Sequence, residues 1–298
     1  MLGNKMAAKT KSVEQIIVPP PTHWVGDGFK VHGFFPNQFL SGTRMSPFYL
    51  LDYNSKYNFS PSANLLGVGA HPHRGFETVT IAYKGKVQHH DSTGGGGIIG
   101  EGDVQWMTAG SGILHKEYHE EEFNRSGGEF QMVQLWVNLP AKDKMTEPKY
   151  QAITNAEIGR YELPDDGGEV EVIAGEFNGT QGTATTFTPV HLYNLKLKKG
   201  ASVKLDFPAH YTTAMLMIEG EARINETEAA PTDNLVLFKR DGEEILVEAE
   251  TDSVILVMSG EPIEEPIAAY GPFLMNTQEE ISQAFEDFQS GKFGYLEG

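Results

Sequence analysis

Apolar residues recur at every second position through much of this chain, in short runs broken by glycine and proline. Val133, Leu135, Val137 and Leu139 fall on one face of a strand expected over 132–139, and Pro140 ends it because proline has no amide hydrogen for the ladder. Residues 78–83 read as a strand, Lys84-Gly85-Lys86 as its turn and 87–90 as the return of a hairpin. The second half repeats the style. Tyr193, Leu195 and Leu197 alternate ahead of Lys199-Gly200, and 213–218 runs into Glu219-Gly220-Glu221, an echo of the Lys-Gly-Lys turn. Residues 234–238 and 254–258 follow as buried strands. Helical spacing is clearest near the C-terminus. Thr277 and Glu280 form a capping box, Ile281, Ala284, Phe285 and Phe288 make one apolar stripe, and Gly291 can close the helix. The pattern predicts an all-β chain of two domains with a weak internal repeat. The first spans 1–145, a linker rich in turn residues (Pro148, Pro164, Asp165-Asp166-Gly167-Gly168) covers 146–170, and the second spans 171–298 and ends in the helix. Residues 1–13, polar and without an apolar core, are expected to be a frayed leader and no secretory signal.

Charge and composition narrow the function classes. With 23 Lys and Arg against 41 Asp and Glu, the net charge of −18 opposes direct nucleic-acid binding, and no Lys/Arg cluster offsets it. No apolar run approaches the roughly 18 residues that would cross a bilayer. There is no cysteine, so disulfides, thiolate ligands and a cysteine nucleophile are excluded. A cytoplasmic protein is the expectation.

Histidine is distributed unevenly. Six of the ten (His71, His73, His89, His90, His115, His119) lie between 71 and 119, where even scattering would put fewer than two. His71-Pro72-His73 and His115-Lys116-Glu117 are pairs at i and i+2, and such pairs on a strand point to one face. Two pairs on neighbouring strands can aim three imidazoles and a carboxylate at one point, a donor set suited to Fe, Mn, Ni, Cu or Zn. Glu77 is in phase with His71 and His73 and is expected as a ligand, an acceptor beside one, a base or a rim carboxylate, while Arg74 points away and braces the rim. At most one of His89 and His90 can face inward, and the Glu120-Glu121-Glu122 run favours a solvated loop around His119. Gly94-Gly95-Gly96-Gly97 lacks the ending of a phosphate loop and is expected to connect strands. Aligning Gly220 with Gly85 puts Asp206 and Pro208 where His71 and His73 sit, so the second domain is expected to lack the site.

Two long motifs, His71-Pro72-His73-Arg74-Gly75-Phe76-Glu77-Thr78 and Gly102-Asp103-Val104-Gln105-Trp106-Met107-Thr108-Ala109-Gly110, resemble the pirin family of bicupins. Tyr270-Gly271-Pro272-Phe273, Met275-Asn276 and Gly291-Lys292-Phe293-Gly294 resemble that family's C-terminal signature, so the likeness covers nearly the whole chain. It implies two stacked antiparallel β-barrels of the double-stranded β-helix (jelly-roll) type, with a metal in the N-terminal one only. The family's iron ligands fall on His71, His73, His115 and Glu117, with iron(II) foremost and Mn, Ni, Cu, Zn or Co as other occupants. The implied activity is that of a quercetin 2,3-dioxygenase, with a small aromatic substrate, O2 as co-substrate and Glu117 as both ligand and catalytic base. The alternative implied by the same family is an iron- or redox-responsive regulator that binds a protein partner without turnover.

Overall fold

The computed structural model describes residues 9–297. The chain is all-β apart from short helical turns and one longer C-terminal helix, and it divides into two units. Each is built from a seven-stranded and a four-stranded antiparallel sheet. In one unit the seven strands run in the order Lys149–Ile153, Val104–Thr108, Phe76–Lys84, Gly128–Asn138, Phe48–Phe59, Phe29–Phe35 and Thr22–Val25. The four are Gly67–His73, Ile113–His119, Val87–Asp91 and Gly96–Ile99. Phe29, Val31, Phe130 and Met132 from the large sheet meet Val87 and Ile99 from the small one in a core. In the other unit, Val170, Tyr193, Met215 and Val257 pack against Val203, Leu205, Ile245 and Val247 in the same manner.

The expected strands form. The 132–139 run lies within Gly128–Asn138, the hairpin is Phe76–Lys84 with Val87–Asp91, and the later runs become Thr212–Glu219, Leu235–Phe238 and Ser253–Gly260. The echoed turns share their physics: Gly85 and Gly220 have φ of +80° and +73°, a region where a side chain would strain the backbone. The helix runs Gln278–Gln289, with Thr277 Oγ1 accepting from the Glu280 amide at 3.1 Å and the Glu280 carboxylate accepting from the Thr277 amide at 3.3 Å. It buries Ile281 and Ala284.

The division of the chain differs from the expected one. One unit comprises Pro20–Ile158 with Ile263–Gly298, and the other comprises Gly159–Pro262 with the described residues up to Pro19. The helix therefore belongs with the first histidine-rich strands, not with the second domain. The expected linker is absent. Lys149–Ile153 pairs with Val104–Thr108, Gly159–Glu162 pairs with Gly168–Ala174, and the boundary falls between them. The N-terminal expectation is also corrected where it can be tested; residues 1–8 lie outside the described residues. Val13–Ile17 pairs with Leu235–Phe238, and Lys11 is fully buried with its Nζ 2.9 Å from the Ala209 carbonyl. A strand of five residues alternates in the same way whichever sheet it joins, so its own pattern does not name its partner.

Candidate metal centre

Strand pairing brings the two histidine motifs face to face. His115 sits directly across from His71, and Ile113 across from His73. Gly67–His73 is an edge strand, which is why Pro72 fits there without costing a ladder hydrogen bond. An irregularity follows: two steps from His115 to Glu117 match three from His71 to Val68. This bulge at Gly69-Ala70 keeps His71 and Val68 on the same inward side.

The three imidazoles form a tight triangle, with ring centroids 4.8 Å (His71–His73), 4.2 Å (His71–His115) and 4.7 Å (His73–His115) apart. One nitrogen from each lies within 4.8 Å of the others, the one such group among the described residues. The Gly69 carbonyl accepts from His71 Nδ1 at 2.7 Å, and the Pro272 carbonyl lies 3.4 Å from His73 Nδ1. Both contacts put the proton on Nδ1 and leave Nε2 with a lone pair for a metal. His115 is fully buried and neither of its ring nitrogens has a hydrogen-bond partner. An orphaned imidazole costs stability unless something binds it.

Glu117 stands at the edge of the triangle, its carboxylate 4.0 Å from His115 Nε2. Gln134 Nε2 donates to both of its oxygens, at 3.2 and 3.1 Å, and Thr80 Oγ1 lies 3.5 Å away. Burial pushes its pKa up against the opposing effects of His71, Gln134 and Thr80. Burial, helped by neighbouring imidazoles, pulls His73 and His115 well below the ordinary histidine value of 6.5. Neutral imidazoles are the form a metal requires. At a metal–nitrogen distance of about 2.0–2.1 Å, three nitrogens on one ion stand roughly 3–3.5 Å apart, so the imidazoles would draw in from their present spread of up to 4.8 Å. The donor set fits a single first-row metal ion.

The depressed histidines have a consequence for the metal-free protein. As pH falls below about 6.5 the unfolded chain takes up protons that folded His73 and His115 refuse. Their contribution is full above that value and is lost progressively toward acid. The raised Glu117 carboxyl acts in the opposite sense, so the contribution is read as a difference: between pH 8 and 5 the urea midpoint should fall further in wild type than in a variant carrying His73→Leu and His115→Leu.

The other candidates separate clearly. Glu77 is buried on the opposite face of its sheet, across from Thr108 and Val137, and accepts from Thr108 Oγ1 at 2.7 Å. Gly75, with φ +90°, breaks the strand between His73 and Phe76 and resets the phase on which the inward expectation rested. Arg74 does turn away, toward Asp287 of the C-terminal helix at 2.9 Å. His89 faces inward across from Glu117 but is held by Gln105 and by the Tyr150 hydroxyl, at 3.0 and 2.8 Å. Its pKa is lowered to about 4 by burial. His119 is not in a solvated loop. It is 1% exposed, ringed by Phe29, Phe59, Phe123 and Phe130, because Glu120 caps the short helix Glu121–Ser126 and the strand carries its inward phase through to His119. The Gly-rich run is a strand connection, as expected.

A cavity of about 290 Å³ opens beside the histidines. His71, His73 and Glu117 line one side, Met132, Gln134 and Trp136 another, and the Gly271-Pro272 segment closes in from the C-terminal region. Sequence reasoning missed Gln134, Thr80, Asp52 and the Pro272 carbonyl. The only signal for the first was a polar residue interrupting Met132-Val133-Gln134-Leu135-Trp136-Val137, a strand otherwise apolar on both faces.

Known proteins share this architecture. The family model Pirin matches residues 28–137, and that described as the Pirin C-terminal cupin domain matches 192–294. A Pseudomonas aeruginosa protein named provisionally as a quercetin 2,3-dioxygenase is 51% identical over 271 residues, 91% of this chain and 94% of that one. Pirin-1 of Arabidopsis thaliana is 40% identical over 257 residues, covering 84% of each. The crystal structure of quercetin 2,3-dioxygenase from Acinetobacter baumannii superposes with a TM-score of 0.91 at 48% identity, over 97% of this chain and 100% of that one.

Proposed function

The chain belongs to the pirin family, with two cupin domains in one polypeptide, and from that premise we propose that the cavity beside His115 is the active site of a metal-dependent dioxygenase acting on a flavonol such as quercetin. The observation that carries this is the buried His115, its ring nitrogens without a hydrogen bond, beside two more imidazoles and a carboxylate that line a cavity otherwise largely apolar. His71, His73, His115 and Glu117 would hold the ion, with iron(II) the first candidate. A bound metal supplies a Lewis acid for an enolate oxygen and an electron-transfer partner for O2.

The chain's own residues do the rest. Glu117, at the wall of the cavity beside the histidines, is positioned to take the proton of the substrate's 3-hydroxyl, which leaves an electron-rich enolate open to O2. Gln134 and Thr80 fix the carboxylate against rotation. Phe29, Leu50 and Trp136 exclude water and accept a flat ring system. Iron-loaded protein should consume quercetin and O2 together; chelation should stop this and iron(II) restore it. Absence of metal-dependent turnover overturns the proposal.

A further inference from the structure

The same cavity contains a carboxylate with no assigned work. Asp52 lies on Phe48–Phe59, directly across from Gln134 on one side and from Gly33 on the other, and it lines the cavity. The ladder fixes its direction. Asp52, Gln134 and Thr80 are cross-strand neighbours on one face of the large sheet, and Gln134 and Thr80 reach Glu117 from that face. Asp52 therefore points into the cavity from the large sheet, whereas His71, His73 and Glu117 enter from the small one.

Asp52 is half-buried, yet among the described residues no group donates a hydrogen bond to it. Its one charged influence is His23, and burial outweighs it, raising the pKa to about 6. Gly33 presents no side chain over it: a methyl group there would come within 3.4 Å of Asp52 Oδ1 and 3.2 Å of the His23 ring. A half-buried carboxylate that no protein group satisfies is open to a donor carried by a bound molecule. Gln134 stands between Asp52 and Glu117, and the rest of the lining is largely apolar, with Phe29, Val31, Leu50, Val68 and Met132.

We infer that Asp52 is a specificity-determining residue, accepting a hydrogen bond from a second hydroxyl of the substrate, distinct from the one that meets the histidines. The inference rests on the reading of this cavity as a flavonol-type site and adds a specificity determinant to it. The preferred ligand is a flat aromatic with at least one hydroxyl besides the reacting one. An analogue with the reacting hydroxyl alone leaves Asp52 unpaired, and one with an anionic group facing Asp52 is repelled.

The test is a cycle of two ligands and three proteins, read as dissociation constants with iron(II)-loaded protein in the absence of O2. Quercetin has hydroxyls besides the reacting one; 3-hydroxyflavone has the reacting one alone. Wild type should bind quercetin more tightly. Asp52→Leu should weaken quercetin by about tenfold to a hundredfold, the range for a hydrogen bond to a charged group. Asp52→Asn should fall between the two, because an amide oxygen still accepts. All three proteins should bind 3-hydroxyflavone alike, which also shows that the variants are folded and metal-loaded. If Asp52→Leu weakens both ligands equally, or neither, the specificity role is overturned while the flavonol site stands. If wild type binds neither flavonol, the reading of the cavity fails and the inference fails with it.

Discussion

Glu117→Gln is expected to leave a folded, metal-holding protein whose quercetin turnover falls by about three orders of magnitude, within the roughly 10²–10⁴ attributed to a positioned general base. The substitution keeps the shape of the side chain and an oxygen able to reach a metal, but the amide does not take up a proton at neutral pH. In the wild type Gln134 donates to both Glu117 oxygens. An amide at 117 presents one oxygen and one NH2 group, so one of those contacts becomes donor against donor and the side chain turns. Metal content should stay near one ion per chain, and the loss should appear in kcat more than in KM. Full activity in this variant removes Glu117 from the chemistry. Lost metal with unchanged kcat per bound iron would make it a ligand only.

The second large effect is structural. Replacing Arg74 with Met should destabilise the protein by about 2–3 kcal/mol, the range for losing a buried hydrogen bond between charged groups, because Asp287 keeps Lys292 as a partner. Arg74 is 4% exposed. Its Nη2 donates to Asp287 at 2.9 Å, its Nε donates to the Ser111 carbonyl at 2.7 Å, and its guanidinium lies 4.7 Å from the centre of the Phe293 ring. Asp287 then keeps only Lys292 and Gln283, both on its other oxygen, at 2.7 and 2.9 Å, and Oδ2 loses its donor. Pairing Arg74→Met with Asp287→Leu should therefore recover part of the loss, and a double-mutant cycle by chemical denaturation measures how much. The wild-type pair also has a pH signature. Lys292 first, then Arg74, holds the Asp287 carboxyl down to about 2. Its contribution is present above the unfolded value near 3.8 and is lost as pH falls toward 2.

The candidate ligands were legible because their signal is local. Strand parity links His71 to His73 and His115 to Glu117 without reference to any other part of the chain. Parity failed where the backbone broke phase, at Gly75, and Glu77 landed on the wrong face for that reason. The long motifs and the alternating runs also foretold the two cupin domains and the helix. Gln134, Thr80 and Asp52 were not legible, because a polar residue within a buried strand shows its role only when the neighbours on either side are known. Those neighbours lie tens of positions away. The exchanged terminal segments were hidden for a related reason: edge-strand pairing and helix docking are decided by the surface they meet.

That exchange sets a timetable for synthesis. The unit holding the histidines draws Gly271, Pro272 and Asp287 from the far end of the chain, after the whole of Gly159–Pro262. At about 5–20 residues per second, the ~130 residues between Ile158 and Asp287 occupy a ribosome for roughly 6–26 s. Throughout that interval the histidine strands exist without the carbonyl that orients His73 and without the anchor of Arg74. A nascent or prematurely terminated chain thus lacks the finished pocket, and the histidine cluster gains its last supports only when the polypeptide is nearly whole.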